Sequence, residues 1–435
     1  MIEAFQNIFK IPELKKKVLF SLMMLAVYRV GCHIPTPGID AMALAQFFKA
    51  AQGTLLGMFD MFSGGALEKL TVFALGIMPY ISSSIIFQLL TVVVPAIEKL
   101  SKEGDAGRKK IIQYTRYGTV VLSVVQSFGI SIGLEAMRGP AGELVVPNPG
   151  WSFRLMTVIT LTAGTAFIMW MGEQMSEKGI GNGISLIIFA GIVARIPNAI
   201  SNSFRLIKTG ELSLFVLILV VAVMFLVIAA VVFMERGQRR IPIHYAKRVV
   251  GLKTVGAQSS HLPLKVNMAG VIPPIFASSI IMFPATVGNF IDVPWVQAAS
   301  KQLAPGKLLY EILFVAFIVF FCYFYTAVTF NPVDVADNVK KQGGYVPGIR
   351  PGKETSDFLD AVLTKLTFAG AIYISAVCVL PSILIGKFNL PFYFGGTSLL
   401  IAVGVGMDTL AQIEAHLITR SYEGFMKGVR IQGRK

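Results

Sequence analysis

Charged side chains are scarce in this sequence. They make up 14% of its 435 residues, where soluble globular chains carry about 25%. Histidine is rarer still. The four, His33, His244, His261 and His416, are scattered, with no H-E-x-x-H and none placed mid-span beside a serine. That removes the usual zinc site and leaves an intramembrane hydrolase without a base. No G-x-x-x-x-G-K-[ST] occurs, so the chain has no phosphate cradle of its own, and energy for any work comes from outside. The three cysteines, Cys32, Cys322 and Cys378, lie in or beside apolar runs without ligand spacing and read as small core residues. Nothing points to a metal or a cofactor.

What is abundant is oil. Hydrophobic residues reach 54%, with a mean hydropathy of +0.68. Apolar runs near 18–37, 71–94, 117–136, 155–172, 183–194, 213–234, 269–290, 309–330, 361–385 and 396–416 are candidates to cross a hydrocarbon core of roughly 30 Å. The fold class expected is therefore an all-α polytopic membrane protein of ten helices. The fifth run is short and follows "KGIGNG", which reads as a flexible start to a half-embedded helix. With the N-terminus inside, inward segments hold 27 Lys+Arg and outward ones 10, leaving Arg29 and Lys365 within spans. Both termini are then cytoplasmic. The net charge of +15 follows from that asymmetry and from contact with anionic lipid. The start of the chain reads as an amphipathic cytoplasmic helix ending in a basic stop, not as a cleaved signal.

Ten spans divide five and five. "GIMPYISSSII" (76–86) and "GVIPPIFASSI" (270–280) share Gly76/Gly270, Pro79/Pro273, Ile81/Ile275, Ser84/Ser278 and Ile86/Ile280. Five spans apart, the second copy enters from the opposite side: an inverted repeat, with a site expected near mid-membrane. The serines fit close helix packing, or a smooth uncharged wall. The organisation read is 1–17 as a cytoplasmic segment, 18–194 as the first half, 195–212 as an external hinge, 213–416 as the second half and 417–435 as a cytoplasmic tail.

Ion-coupled carriers usually hold a titrating group mid-membrane. Here Glu311 and Asp408 lie near span ends and no central carboxylate pair occurs, which disfavours a secondary transporter of a small solute, the alternative reading. Between the first two spans, "GTLLGMFDMFSGGALEKL" (53–70) is a sticky helix closed by Ser63-Gly64-Gly65. It either lies on the outer leaflet or folds back as a mobile stopper.

Two inner loops carry most of the charge. In 235–268, "RIPIHYAKRVV" alternates basic and β-prone residues as a strand-like finger. In 331–360, a short helix and a Gly-Gly break precede "YVPGIRPG", where Pro347 and Pro351 stiffen the chain around Arg350 and Thr355 stands as a helix cap. Arg350 is thereby presented on a rigid tip, suited to carboxylate or phosphate.

The blocks "RVGCHIPTPGI" (29–39), "MFSGGAL" (61–67), "ALGIMPYISSSII" (74–86), "GEQMSEKGIGNGISLIIFAGIVA" (172–194), "ERGQRRIPI" (235–243), "LPLKVNMAGVIPPIFASSII" (262–281), "YVPGIRPG" (345–352) and "PFYFGGTSLLI" (391–401) resemble the SecY/Sec61 alpha family of protein-translocation channel subunits along essentially the whole chain. The resemblance implies two inverted, pseudo-symmetric halves around a central pore and a passive channel, not an enzyme. It implies a pore ring at Ile81, Ile85, Ile184, Ile188, Ile275 and Ile401. It places a plug at about 55–70, over Leu55, Leu56, Met58, Phe59, Asp60, Met61, Phe62, Ser63, Gly64 and Gly65. A lateral gate would involve Ser84, Gln88, Ser278, Ser279 and Phe283. Arg350, supported by Arg236, Arg239, Arg240, Lys247 and Arg248, would dock the SecA motor ATPase or the ribosome. The other partners implied are SecE, SecG, a translocating polypeptide with its signal sequence, and membrane lipid, in the bacterial cytoplasmic membrane.

Overall fold

Long apolar segments that satisfy their own backbone hydrogen bonds dominate the chain, as a lipid environment demands. The computed structural model describes residues 11–40, 43–44, 63–137, 144–210, 213–245, 248–250, 253–255, 259–288, 302–303, 307–388 and 396–428. In order these form α1 (Pro12–Gly31), α2 (Met78–Val93), α3 (Pro95–Lys102), α4 (Asp105–Ala136), α5 (Trp151–Lys178), α6 (Gly183–Val193), α7 (Ile196–Thr209) and α8 (Leu214–Arg236). Four strands follow: β1 (Gln238–Tyr245), β2 (Arg248–Val250), β3 (Lys253–Val255) and β4 (Ser259–Lys265). The chain continues through α9 (Ile272–Gly288), α10 (Leu308–Thr329), α11 (Pro332–Lys341), β5 (Gly344–Tyr345), α12 (Lys353–Phe388) and α13 (Gly396–Gly428).

Each of the ten expected spans overlaps a helix. Among the described residues seven helical stretches are long and apolar enough to cross a membrane, and eight with α2 and α3, which meet at 97°. Pro95 makes that break, since it cannot donate to the helix and biases Val94 to the extended conformation (ψ 111°). The described apolar part of α9 is short, Ile272–Ile281. Three local expectations change. The basic stop Lys15-Lys16-Lys17 lies inside α1, which runs unbroken from Pro12 into the first apolar run. The fifth span is not a half-length helix: Gly183–Thr209 forms a 27-residue stretch, turning at Ala194 and Arg195. The segment expected to be a hinge thus carries α7.

"KGIGNG" is pinned rather than loose. Asn182 caps α6 by accepting from the Ile184 and Ser185 amides (3.1 and 3.3 Å). The Ile180 amide donates to Ser21 Oγ (3.1 Å), the Gly181 amide to Gln412 Oε1 (2.9 Å) and the Gly183 amide to Ser176 Oγ (2.9 Å). A side chain at Gly183 would stand 2.1 Å from the Gly172 carbonyl oxygen, so this glycine serves contact between α5 and α6.

The chain forms two compact units. The first comprises Met1–Arg205, Met282–Pro305 and Ile401–Lys435, and the second Leu206–Ile281 and Gly306–Leu400. In the first, α4 packs against α2 and α5 through a run of small hydroxyls, Thr115, Thr119, Ser123, Ser127 and Ser131, all buried. Their hydroxyls donate to carbonyls of their own helix, which lets polar residues sit in oil without loss. The second unit contains α10 against α12, and a three-stranded sheet ordered β4-β1-β5.

Candidate channel and docking elements

The segment leading into α2 is held by α1. The Tyr28 hydroxyl donates to the Ser63 carbonyl (3.1 Å) and Arg29 Nη1 to the Gly64 carbonyl (3.1 Å). Ser63 Oγ accepts the Leu67 amide (3.2 Å), and the chain then crosses back to 34–36 through Thr36 N–H to the Leu70 carbonyl and Val72 N–H to the Ile34 carbonyl. Gly64 and Gly65 have φ of +69° and +86°, which glycine adopts without strain. A Cβ on Gly64 would stand 2.8 Å from Gly191 Cα, so the backbone lies directly on α6. Among the described residues the Ser63 and Gly64 carbonyls are thus both held by α1. Leu55, Leu56, Met58, Phe59, Asp60, Met61 and Phe62 lie outside the described residues.

Arg195 was missed by sequence reasoning, which placed it in an external hinge. Its guanidinium reaches to within 3.8 Å of where a Gly65 Cβ would stand. The signal was available: a lone arginine that continues the apolar run of α6 is a functional candidate by default.

The ring candidates divide between the units. In the first, Ile81 and Ile85 are buried on one turn of α2, Ile188 is buried and Ile184 half-buried on α6, and Ile401 is fully buried on α13. Ile275, buried on α9, belongs to the second. Around Ile81, Ser83 donates to the Thr115 carbonyl of α4 (2.8 Å), where Gly118 lets the helices close up. Of the gate candidates, Gln88 Nε2 donates to Ser84 Oγ (3.2 Å) on α2. Ser278 and Ser279 both return their hydroxyls to the Ile275 carbonyl (2.9 and 2.7 Å). Phe283 lies on the backbone of α9, with its side chain outside the described part.

In the second unit, strands from the two basic loops share one sheet. β1 pairs antiparallel with β4, from Gln238↔Lys265 to His244↔Ser259. Its other edge takes β5, through His244↔Tyr345 and Tyr245↔Gly344. Alternation sends Ile241 and Ile243 inward and turns Arg240 and Pro242 outward, while Arg239, on the inward face, is exposed at the start of the strand. Ile241 and Leu264 pack with Val346 and with Leu359, Val362 and Leu363 of α12. Arg236, Arg239, Arg240 and Arg350 are exposed. Lys247 lies outside the described residues, and Arg248 is described only by its strand backbone. Thr355 is not the cap expected: α12 already starts at Lys353, and the Thr355 hydroxyl donates back to the Arg350 carbonyl (2.9 Å).

Comparison with known proteins fixes the kinship. The family model described as SecY matches residues 71–410. The protein translocase subunit SecY of Pseudomonas aeruginosa is 53% identical over 427 residues, covering 97% of this chain and 95% of that protein. Among solved structures, one described as the structure of a protein conducting channel matches with a TM-score of 0.67 at 18% identity, over 95% of this chain and 97% of that one. Sec61 in the canine ribosome-channel complex from the endoplasmic reticulum matches at 0.65 and 17%, with the same coverage. At those identities the likeness is one of fold: ten membrane helices in two halves. Identity across nearly the full length says more, and by it this chain is a member of the SecY family.

Proposed function

We propose that the chain is the central subunit of a protein-conducting channel. It passes unfolded secretory polypeptides across the bacterial cytoplasmic membrane and releases apolar segments sideways into lipid. Membership of the SecY family along the chain is the observation that carries this reading. The chain does no chemistry on its cargo. A docked SecA ATPase or ribosome drives passage, SecE and SecG are its small partner subunits, and both termini are cytoplasmic.

Ile81, Ile85, Ile184, Ile188, Ile275 and Ile401 form the constriction. An aliphatic ring holds no water when closed, blocks ions by dewetting, and can fit itself around a moving chain of any sequence. The plug, from Leu55 to Gly65, closes over it from outside, its C-terminal end tethered at Ser63 and Gly64 by Tyr28 and Arg29. Signal sequences leave between α2, with Ser84 and Gln88, and α9, with Ser278, Ser279 and Phe283. On the cytoplasmic side, Arg350 with Arg236, Arg239, Arg240, Lys247 and Arg248 meets phosphates of ribosomal RNA or carboxylates of the motor.

The test is ion conductance in planar bilayers of the chain with its partner subunits, before and after Ile85→Asn with Ile275→Asn. A silent parent and a leaking variant are expected. No leak in either places the pore elsewhere and returns a solute carrier to contention.

A further inference from the structure

The Arg350 guanidinium is exposed, and among the described residues it has no hydrogen-bond or ion-pair partner. What the fold itself fixes is therefore the backbone from which it hangs, and with it the direction in which the side chain leaves the loop. On the N-terminal side that backbone is firmly placed: Tyr345 pairs with His244, Val346 is buried in the core, and the Ile349 amide closes a turn onto the Val346 carbonyl (3.1 Å) around Gly348 at φ +79°. On the C-terminal side the situation differs. The peptide after Arg350 leads into Pro351, so it has no N–H, and its carbonyl is its only hydrogen-bonding group. The hydroxyl of Thr355, a residue 2% exposed, donates to that carbonyl at 2.9 Å. The helix start does not need this bond, because the Ser356 amide already closes the first turn onto the Gly352 carbonyl (3.1 Å).

We propose that Thr355 is a positioning residue for docking: its hydroxyl holds the Arg350 carbonyl and thereby aims the guanidinium at ribosomal RNA phosphate. This rests on the docking reading above. The tie is local, and it spares the arginine a share of the ordering entropy that docking would otherwise demand.

The experiment measures ribosome binding to the full chain with its partner subunits in nanodiscs, across a series of salt concentrations. Thr355→Val keeps the shape and removes the hydroxyl; Thr355→Ser keeps the hydroxyl; Thr355→Ala is the second deletion should the valine fail to fold. The net worth of one hydrogen bond sets the ceiling on the effect, up to about fivefold weaker binding for Thr355→Val, with full rescue by Thr355→Ser. Arg350→Ala lowers the salt slope by about one phosphate contact, and Thr355→Val lowers it in the same sense. In an Arg350→Ala background, Thr355→Val has no further effect. If Arg350→Ala impairs binding while Thr355→Val and Thr355→Ala do not, the positioning role is wrong and the docking reading stands. A valine effect that persists in full without Arg350 also overturns it, since the threonine then acts on the fold. Unchanged binding in Arg350→Ala removes the docking reading and this inference together.

Discussion

The two copies of the repeated segment show how far a short pattern reaches. Both begin with a glycine in the left-handed region, Gly76 at φ +57° and Gly270 at φ +64°. In both, the helix starts two residues later with proline at its second position, where a missing N–H costs nothing. Ile81 and Ile275, the aligned residues, are both buried. The copies part where neighbours differ. Ser83 donates across to the α4 backbone, whereas the aligned Ala277 has no hydroxyl to give. In the second copy the serines turn back onto their own helix at Ile275. The lesson is that an eleven-residue pattern fixes the start of a helix and its buried face, while the packed neighbour decides where its polar groups go.

The largest effect that would break this equivalence is functional. If both copies line one constriction, Ile81→Asn and Ile275→Asn each open a resting ion leak, and the two conductances agree within about twofold. A leak from one alone shows that the aligned isoleucines are not equivalent. Next in size is Gly118→Val. Its Cβ would stand 2.4 Å from Ser83 Oγ and 3.0 Å from the Phe87 ring, and overpacking of this kind costs about 1–3 kcal/mol. A lowered thermal unfolding midpoint in nanodiscs is the measurement.

Smaller effects sharpen the comparison at the helix starts. Gly76→Ala and Gly270→Ala should each cost about 1–2 kcal/mol from left-handed strain, by the same unfolding measurement. At Gly270 nothing lies within 4 Å of an added Cβ, so strain is the whole of the cost there. Smallest is the serine pair. Ser83→Ala loses a hydrogen bond between helices and should cost about 0.6–1 kcal/mol. Ser279→Ala should cost distinctly less, since Ser278 still serves the Ile275 carbonyl. Equal losses would mean that both hydroxyls do no more than satisfy their own helix.

Several features of the candidate sites were legible because they are local. The strand-like finger at 238–245 was written in the alternation of "RIPIHY", and the stiffness of "YVPGIRPG" in its prolines. Most of the features that were missed involve partners distant in sequence. "KGIGNG" looked loose because its glycines permit turns, yet its amides are held by Ser21, Ser176 and Gln412, the last 231 residues away. The hold on Ser63 and Gly64 was likewise out of reach, since its donors, Tyr28 and Arg29, lie 35 residues upstream. Thr355 was assigned the ordinary role of its residue type at a helix start; that its hydroxyl turns back to Arg350 depends on where Pro351 and Gly352 send the chain.

By itself the sequence determined that this is a membrane protein, where its helices lie, and on which side its basic loops are expected. Those properties follow from hydrophobic transfer and from Lys/Arg counts, which add residue by residue without reference to a partner. Only the tertiary structure decided that β1, β4, β5 and the start of α12 form one body around Ile241, Leu264 and Val346. It likewise decided that α1 grips the chain at Ser63 and Gly64. Each of these rests on hydrogen bonds and contacts between segments far apart in the chain, and a linear pattern carries no distance between them.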